Sequence, residues 1–86
     1  MEILVKKPTE EEAAQMKLNP IWSCEVSEFD WHYESEETCL ILEGEVSVQH
    51  GSTSVAIAAG DYVVFPAGLS CVWKVSKPIR KHYLFK

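Results

Sequence analysis

From Ile21 to Phe85 the chain is broken by turn signals at short intervals, and the runs between them alternate apolar and polar residues. A period of two places one set of side chains against a core and the other in solvent, so it specifies half-buried strands and excludes helices. Trp22, Cys24 and Val26 alternate with Ser23, Glu25 and Ser27 in this way. Thr38–Gln49 reads as a long strand interrupted at Gly44, where a residue without Cβ permits a bend or bulge. His50-Gly51-Ser52 leads into Thr53–Ala58, Ala59-Gly60-Asp61 into Tyr62–Phe65, and Pro66-Ala67-Gly68 into Ser70–Val75. Lys77-Pro78 then introduces a last strand, Ile79–Phe85. Roughly seven or eight strands spaced by roughly 8–12 residues predict an antiparallel sandwich or barrel. Phe65, Val64, Ile57 and Leu42 are expected in its core.

The N-terminal segment follows a different rule. Thr9-Glu-Glu-Glu12 is a capping box, and it predicts a short helix over about 10–17, stopped by Asn19-Pro20. The expected organisation is one domain over residues 1–86, with a helical segment at 1–19 and the barrel at 20–86. A domain of 86 residues buries only roughly 60–65% of its unfolded surface, so each core position counts.

Charge and cysteine content narrow the partners. A net charge of −5 argues against a nucleic-acid partner, which needs a basic surface to neutralise phosphates. No stretch of 18 apolar residues is present, so no membrane partner is expected. The acids cluster at Glu10–Glu12 and between Glu25 and Glu45, whereas Lys74, Lys77, Arg80, Lys81 and Lys86 gather near the C-terminus. Two solvated faces that attract each other across the fold or between subunits account for this split; an anion-binding patch is the other reading. Cys24, Cys39 and Cys71 are odd in number and form no Cys-x-x-Cys pair, which favours a reducing, cytoplasmic location. The N-terminal MEILVKKPTEEE lacks the features of a secretory signal.

Two motifs in order make the pattern resemble a cupin, the small jelly-roll β-barrel. The first cupin motif runs Gly-x5-His-x-His, three or four residues, Glu, six residues, Gly; Glu37 and Gly44 match its end. The second runs Gly-x5-Pro-x-Gly-x2-His-x3-Asn, and Gly60, Pro66 and Gly68 in GDYVVFPAG match its start. More narrowly, FDWHYESEETCLILEGEV, GDYVVFPAGLSCVWKV and the terminal RKHYLF resemble small single-domain cupins grouped with ureidoglycine aminohydrolase. The resemblance implies an all-β fold, and, since cupins are often dimers, a possible homodimer that buries an edge strand.

It also frames the question of a metal. With three residues before Glu37, the histidine positions of the first motif hold Trp31 and Tyr33; in the second motif the histidine position holds Cys71 and the Asn position Val75. Trp offers no lone pair, and a stable site normally has three or four ligands, so no metal or other cofactor is expected. A four-residue gap gives instead Asp30, His32, Glu37 and Cys71, each a legitimate ligand type for Zn²⁺ or Fe²⁺. Period-two geometry opposes this register, because His32 turns outward if Trp31 and Tyr33 turn inward.

Without a metal, Glu37 has two readings. It is a structural residue, solvated or hydrogen-bonded at the barrel mouth, or it is the polar group of a cavity lined by Trp31, Tyr33, Cys39, Cys71 and Trp73. In the second case it is the candidate catalytic residue, a general acid or base tuned by burial. The expected function is binding of a small polar or cationic metabolite. The alternatives are a metal-dependent hydrolase or dioxygenase using the second register, and a scaffold protein whose cavity is packed shut. Cys71 is a nucleophile only if a base approaches it in space; otherwise it is a buried, inert thiol.

Overall fold

The computed structural model describes Met1–Lys86. Its elements in chain order are β1 (Leu4–Lys6), α1 (Glu10–Met16), β2 (Ile21–Cys24), β3 (Ser27–His32), β4 (Glu37–His50), β5 (Thr53–Ala58), β6 (Tyr62–Phe65) and β7 (Ser70–Phe85). All strand pairings are antiparallel. Together they form the small jelly-roll barrel that the turn spacing and motifs predict.

Two long strands carry the architecture. β4 and β7 pair along most of their length, from Glu37 opposite Phe85 to Gln49 opposite Val72. Each serves both walls of the barrel. The first half of β4 and the second half of β7 lie in a wall ordered β1-β6-β4-β7-β2. Their other halves are flanked by β5 and β3. The core gathers side chains from both walls, among them Cys39, Ile41, Val63, Phe65 and Ile79 with Val46, Val48, Ile57, Trp73 and Val75.

The bend between the walls falls at Gly44, where the β4–β7 register shifts repeatedly. Gly44 has φ +99°, and a Cβ there would lie 2.2 Å from the carbonyl oxygen of Pro78. Pro78 cannot donate to a ladder, and a bulge is where a strand tolerates it. β7 therefore runs continuously through Lys77-Pro78, where the sequence predicts two separate strands. Leu42 and Val64 are only half-buried, whereas Phe65 and Ile57 lie in the core as expected.

The capping box forms: Glu12 N–H donates to Thr9 Oγ1 at 3.1 Å and Thr9 N–H to Glu12 Oε1 at 3.0 Å. α1 ends at Met16 with Lys17 as its cap, and it packs against the outer face of β4 and β7. Thr38, Leu40 and His82 on that outward face are buried as a result. β1 pairs with β6 through three residues, too few to show a period in the sequence. The separated charges meet across the β4–β7 pair, as Lys77–Glu45 at 3.1 Å and Arg80–Glu43 at 4.0 Å, and just beyond its end as Lys86–Glu36 at 3.8 Å.

Gly44→Ala combines a left-handed backbone conformation with a backbone clash. It should lower unfolding stability by at least about 2 kcal/mol in a urea titration, far more than Gly51→Ala, whose Cβ would meet nothing within 4 Å.

Candidate functional site

The inward row of β4 near its start is Glu37, Cys39, Ile41, and the facing row of β7 is Phe85, Tyr83, Lys81. Two chargeable residues therefore sit in an otherwise apolar stripe. Glu37 is 2% exposed and Lys81 5%. Lys81 Nζ donates to Glu37 Oε2 at 2.8 Å, forming a buried ion pair. The ammonium also lies 4.5 Å from the ring centre of Trp73 and 4.9 Å from that of Trp22, its cross-strand partner on β2. Burying two charges is expensive, and it is tolerated only where the geometry is good and the remaining polar contacts are satisfied. Here a short charge-assisted hydrogen bond and two indole faces offset that desolvation.

The pair lies at a cavity of about 180 Å³ lined by Trp22, Phe29, Trp31, Tyr33, Glu37, Trp73, Lys81, Tyr83 and Phe85. The rings form a connected wall. Tyr33 stacks on Phe65 at 4.9 Å, Phe65 packs on Trp73 at 5.6 Å, and Phe29 stacks on Trp73 at 6.0 Å. Trp31 (47% exposed) and Phe85 (45%) open to solvent at the rim. Trp73 Nε1 is buried and finds no hydrogen-bond partner. It does lie close enough to the Cys71 thiol to oppose, in part, the rise in pKa that burial gives that group.

Burial and the neighbouring Glu37 carboxylate push the Tyr33 phenol well above its usual range. Burial pushes the Cys39 thiol up to about 12, with Lys81 acting against the rise. Both groups are therefore neutral at physiological pH. No base is paired with Cys71, and its raised pKa fits an inert thiol rather than a nucleophile.

Of the predicted cavity residues, Trp31, Tyr33, Glu37 and Trp73 line the pocket. Cys39 and Cys71 are buried in the core instead and are not part of its lining. Sequence reasoning missed Lys81, Trp22, Phe29, Tyr83 and Phe85. The signal for Lys81 is its inward phase, shared with Ile79, which sets it apart from the other basic residues of the C-terminal run. Glu37 is not solvated: it is buried and hydrogen-bonded to Lys81, a partner that the sequence does not name.

The metal positions can be tested in the same way. Asp30 and His32 face outward, with His32 Nδ1 hydrogen-bonded to Ser70 Oγ at 2.8 Å, while Glu37 and Cys71 are buried. No three His, Cys, Asp or Glu side chains converge. The other register places Trp31 at the rim and pairs Glu37 with an ammonium. Neither donor set fits a metal.

The barrel, its paired motifs and the pocket between its walls define the class as a small cupin. Residues 11–83 match the family described as the EutQ-like cupin domain, and the chain belongs to that family. It is similar to a DUF861 family protein from Thermotoga maritima, at 48% identity over 99% of this chain and 100% of the other, with a TM-score of 0.94. It shares its fold with the Clostridium difficile EutQ protein, at 18% identity over 96% of this chain and 66% of that one, with a TM-score of 0.71. A protein of unknown function from Acidithiobacillus ferrooxidans has the same fold, at 23% identity and TM-score 0.67, over 72% of this chain and 60% of its own. No curated protein matches the chain. No helix is long and apolar enough to cross a membrane.

Removing either partner of the Glu37–Lys81 pair leaves a buried charge. Glu37→Leu and Lys81→Met should each lose about 3–5 kcal/mol of stability, a large share of the roughly 5–15 kcal/mol typical of a domain. The double variant should return to within about 1 kcal/mol of wild type or exceed it. Urea denaturation of the four chains measures both effects.

Cys39 also sets a pH limit. Its thiol rises from 9.0 to about 12 on folding, so the folded state holds this proton more tightly than the unfolded one. The associated stability is intact below pH 9 and declines as pH rises toward 12, by a total on the order of 4 kcal/mol. Tyr33 acts in the same direction. The urea midpoint should fall steadily above pH 9, and less steeply in Cys39→Ala, which starts from a lower stability at neutral pH.

Proposed function

We propose that this cupin binds a small polar molecule in its aromatic pocket through the Glu37–Lys81 pair, with no metal taking part. The observation that carries the reading is the position of that pair. A domain that needed only to fold would fill this place with Leu and Met at no loss of stability, yet here two buried charges border an open cavity walled by aromatic rings. Apolar walls with a few converging polar groups are the usual character of a small-molecule site. The cavity's volume and its open rim count against the scaffold reading, in which the rings pack it shut. The outward positions of Asp30 and His32 count against the metal-dependent alternative.

Lys81 changes what Glu37 offers. As a lone carboxylate it would favour cations; paired, it presents a carboxylate–ammonium unit with no net charge. This supports the polar side of the expected ligand class over the cationic side. The likeness to ureidoglycine aminohydrolase-type cupins enters here as a likeness of motif, and no reaction is carried over from it.

A ligand at about 100 times its Kd adds about 2.7 kcal/mol to folding stability, which in a domain of this size raises Tm by more than about 10 °C. Thermal melts against a panel of small amides, ureido compounds and amines should reveal at least one such compound. The shift should survive dialysis against a chelator and disappear in Glu37→Leu/Lys81→Met. If no compound on the panel moves the wild-type melt, the pocket is a packing feature and the proposal falls.

A further inference from the structure

We propose that the ligand is a neutral single-ring compound with a carboxamide or lactam edge, its ring held by the aromatic wall and its edge hydrogen-bonded to Glu37 and Lys81. This rests on the reading of the pocket as a small-molecule site and adds the ligand's chemical class. Three observations lead to it.

The first is size and surface. A dry apolar cavity of about 150 Å³ takes one benzene ring, and this one measures about 180 Å³. Seven of its nine lining residues are Trp, Phe or Tyr, so a flat ring finds aromatic faces and edges along its walls.

The second is charge. Glu37 and Lys81 already neutralise each other. A cationic ligand would bring an ammonium or amidinium against Lys81, and an anionic one would bring a carboxylate against Glu37. Either leaves an excess charge in a poorly solvated site. The indole faces of Trp22 and Trp73, which would otherwise attract a cation, are already occupied by Lys81.

The third is hydrogen-bonding capacity. The ion pair uses one oxygen of Glu37 and one of the three N–H groups of Lys81, and the Tyr33 phenol takes up at most one more of the roughly four acceptor sites of the carboxylate. Acceptor capacity therefore remains on the carboxylate and donors remain on the ammonium. An amide edge, with one N–H and one carbonyl side by side, complements both without adding charge.

Calorimetric titration at neutral pH with four probes of nearly equal size separates these terms: toluene, benzamide, benzamidinium and benzoate. Benzamide should bind at least about tenfold tighter than each of the others, since two hydrogen bonds distinguish it from toluene and charge distinguishes it from the rest. In Glu37→Leu/Lys81→Met, which loses both charges together, benzamide should fall to the level of toluene while toluene binds as well as before or better. If toluene, benzamidinium or benzoate equals benzamide in the wild type, or the double variant keeps the preference, the amide assignment is overturned and the pocket reading stands. Failure of all four probes to bind overturns the single-ring assignment, while the pocket reading is decided by the melts against the panel.

Discussion

A carboxylate cannot remain inside a barrel this small without a partner, and the position of Lys81 on β7 meets that need. The two residues sit on the strands that also hold the walls together, so the ion pair and the architecture depend on the same pairing. The bend at Gly44, with the Pro78 carbonyl pressed against the space where a Cβ would sit, lets each long strand cross from one wall to the other. That crossing gathers Trp22 and Phe29, from strands on opposite walls, around Trp73 and Lys81. The aromatic pocket follows from the bend.

In the cupin motif, the first-motif Glu is one ligand of a metal. In this chain the positive charge beside that Glu comes from an ammonium carried by the chain itself. The substitution is coherent in electrostatic terms. The aromatic residues at the histidine positions would be poor ligands, but they are good walls: Trp31 meets Tyr33, and Tyr33 stacks on Phe65, which packs on Trp73 beside Lys81.

Much of this was legible in the sequence, and the failures share a cause. The turn residues, the capping box and the two partial motifs are local, and they gave the barrel, α1 and the position of Glu37. Period-two phase gave the burial of Tyr33 and Trp73 and the outward turn of His32. What depended on pairing between distant strands was not available. Lys81 has the phase of a core residue, but only the register of β4 against β7 shows that a carboxylate awaits it. Pro78 reads as a strand breaker until Gly44 is seen opposite, and the three residues of β1 are too short to show any period. The motifs set Cys39 and Cys71 close to the site, yet both belong to the core because a thiol packs as a small apolar group.

The chain has three tryptophans, Trp22, Trp31 and Trp73, and all three line the same pocket. One stands at the rim, nearly half in water, and the other two face Lys81. The intrinsic emission of this protein is therefore a report from one place. Occupation of the cavity, loss of the nearby charges or opening of the wall each alters the surroundings of an indole, with no tryptophan elsewhere to contribute background. The optical signal of the molecule and its candidate site coincide, so a change in emission under native conditions reads directly on the pocket.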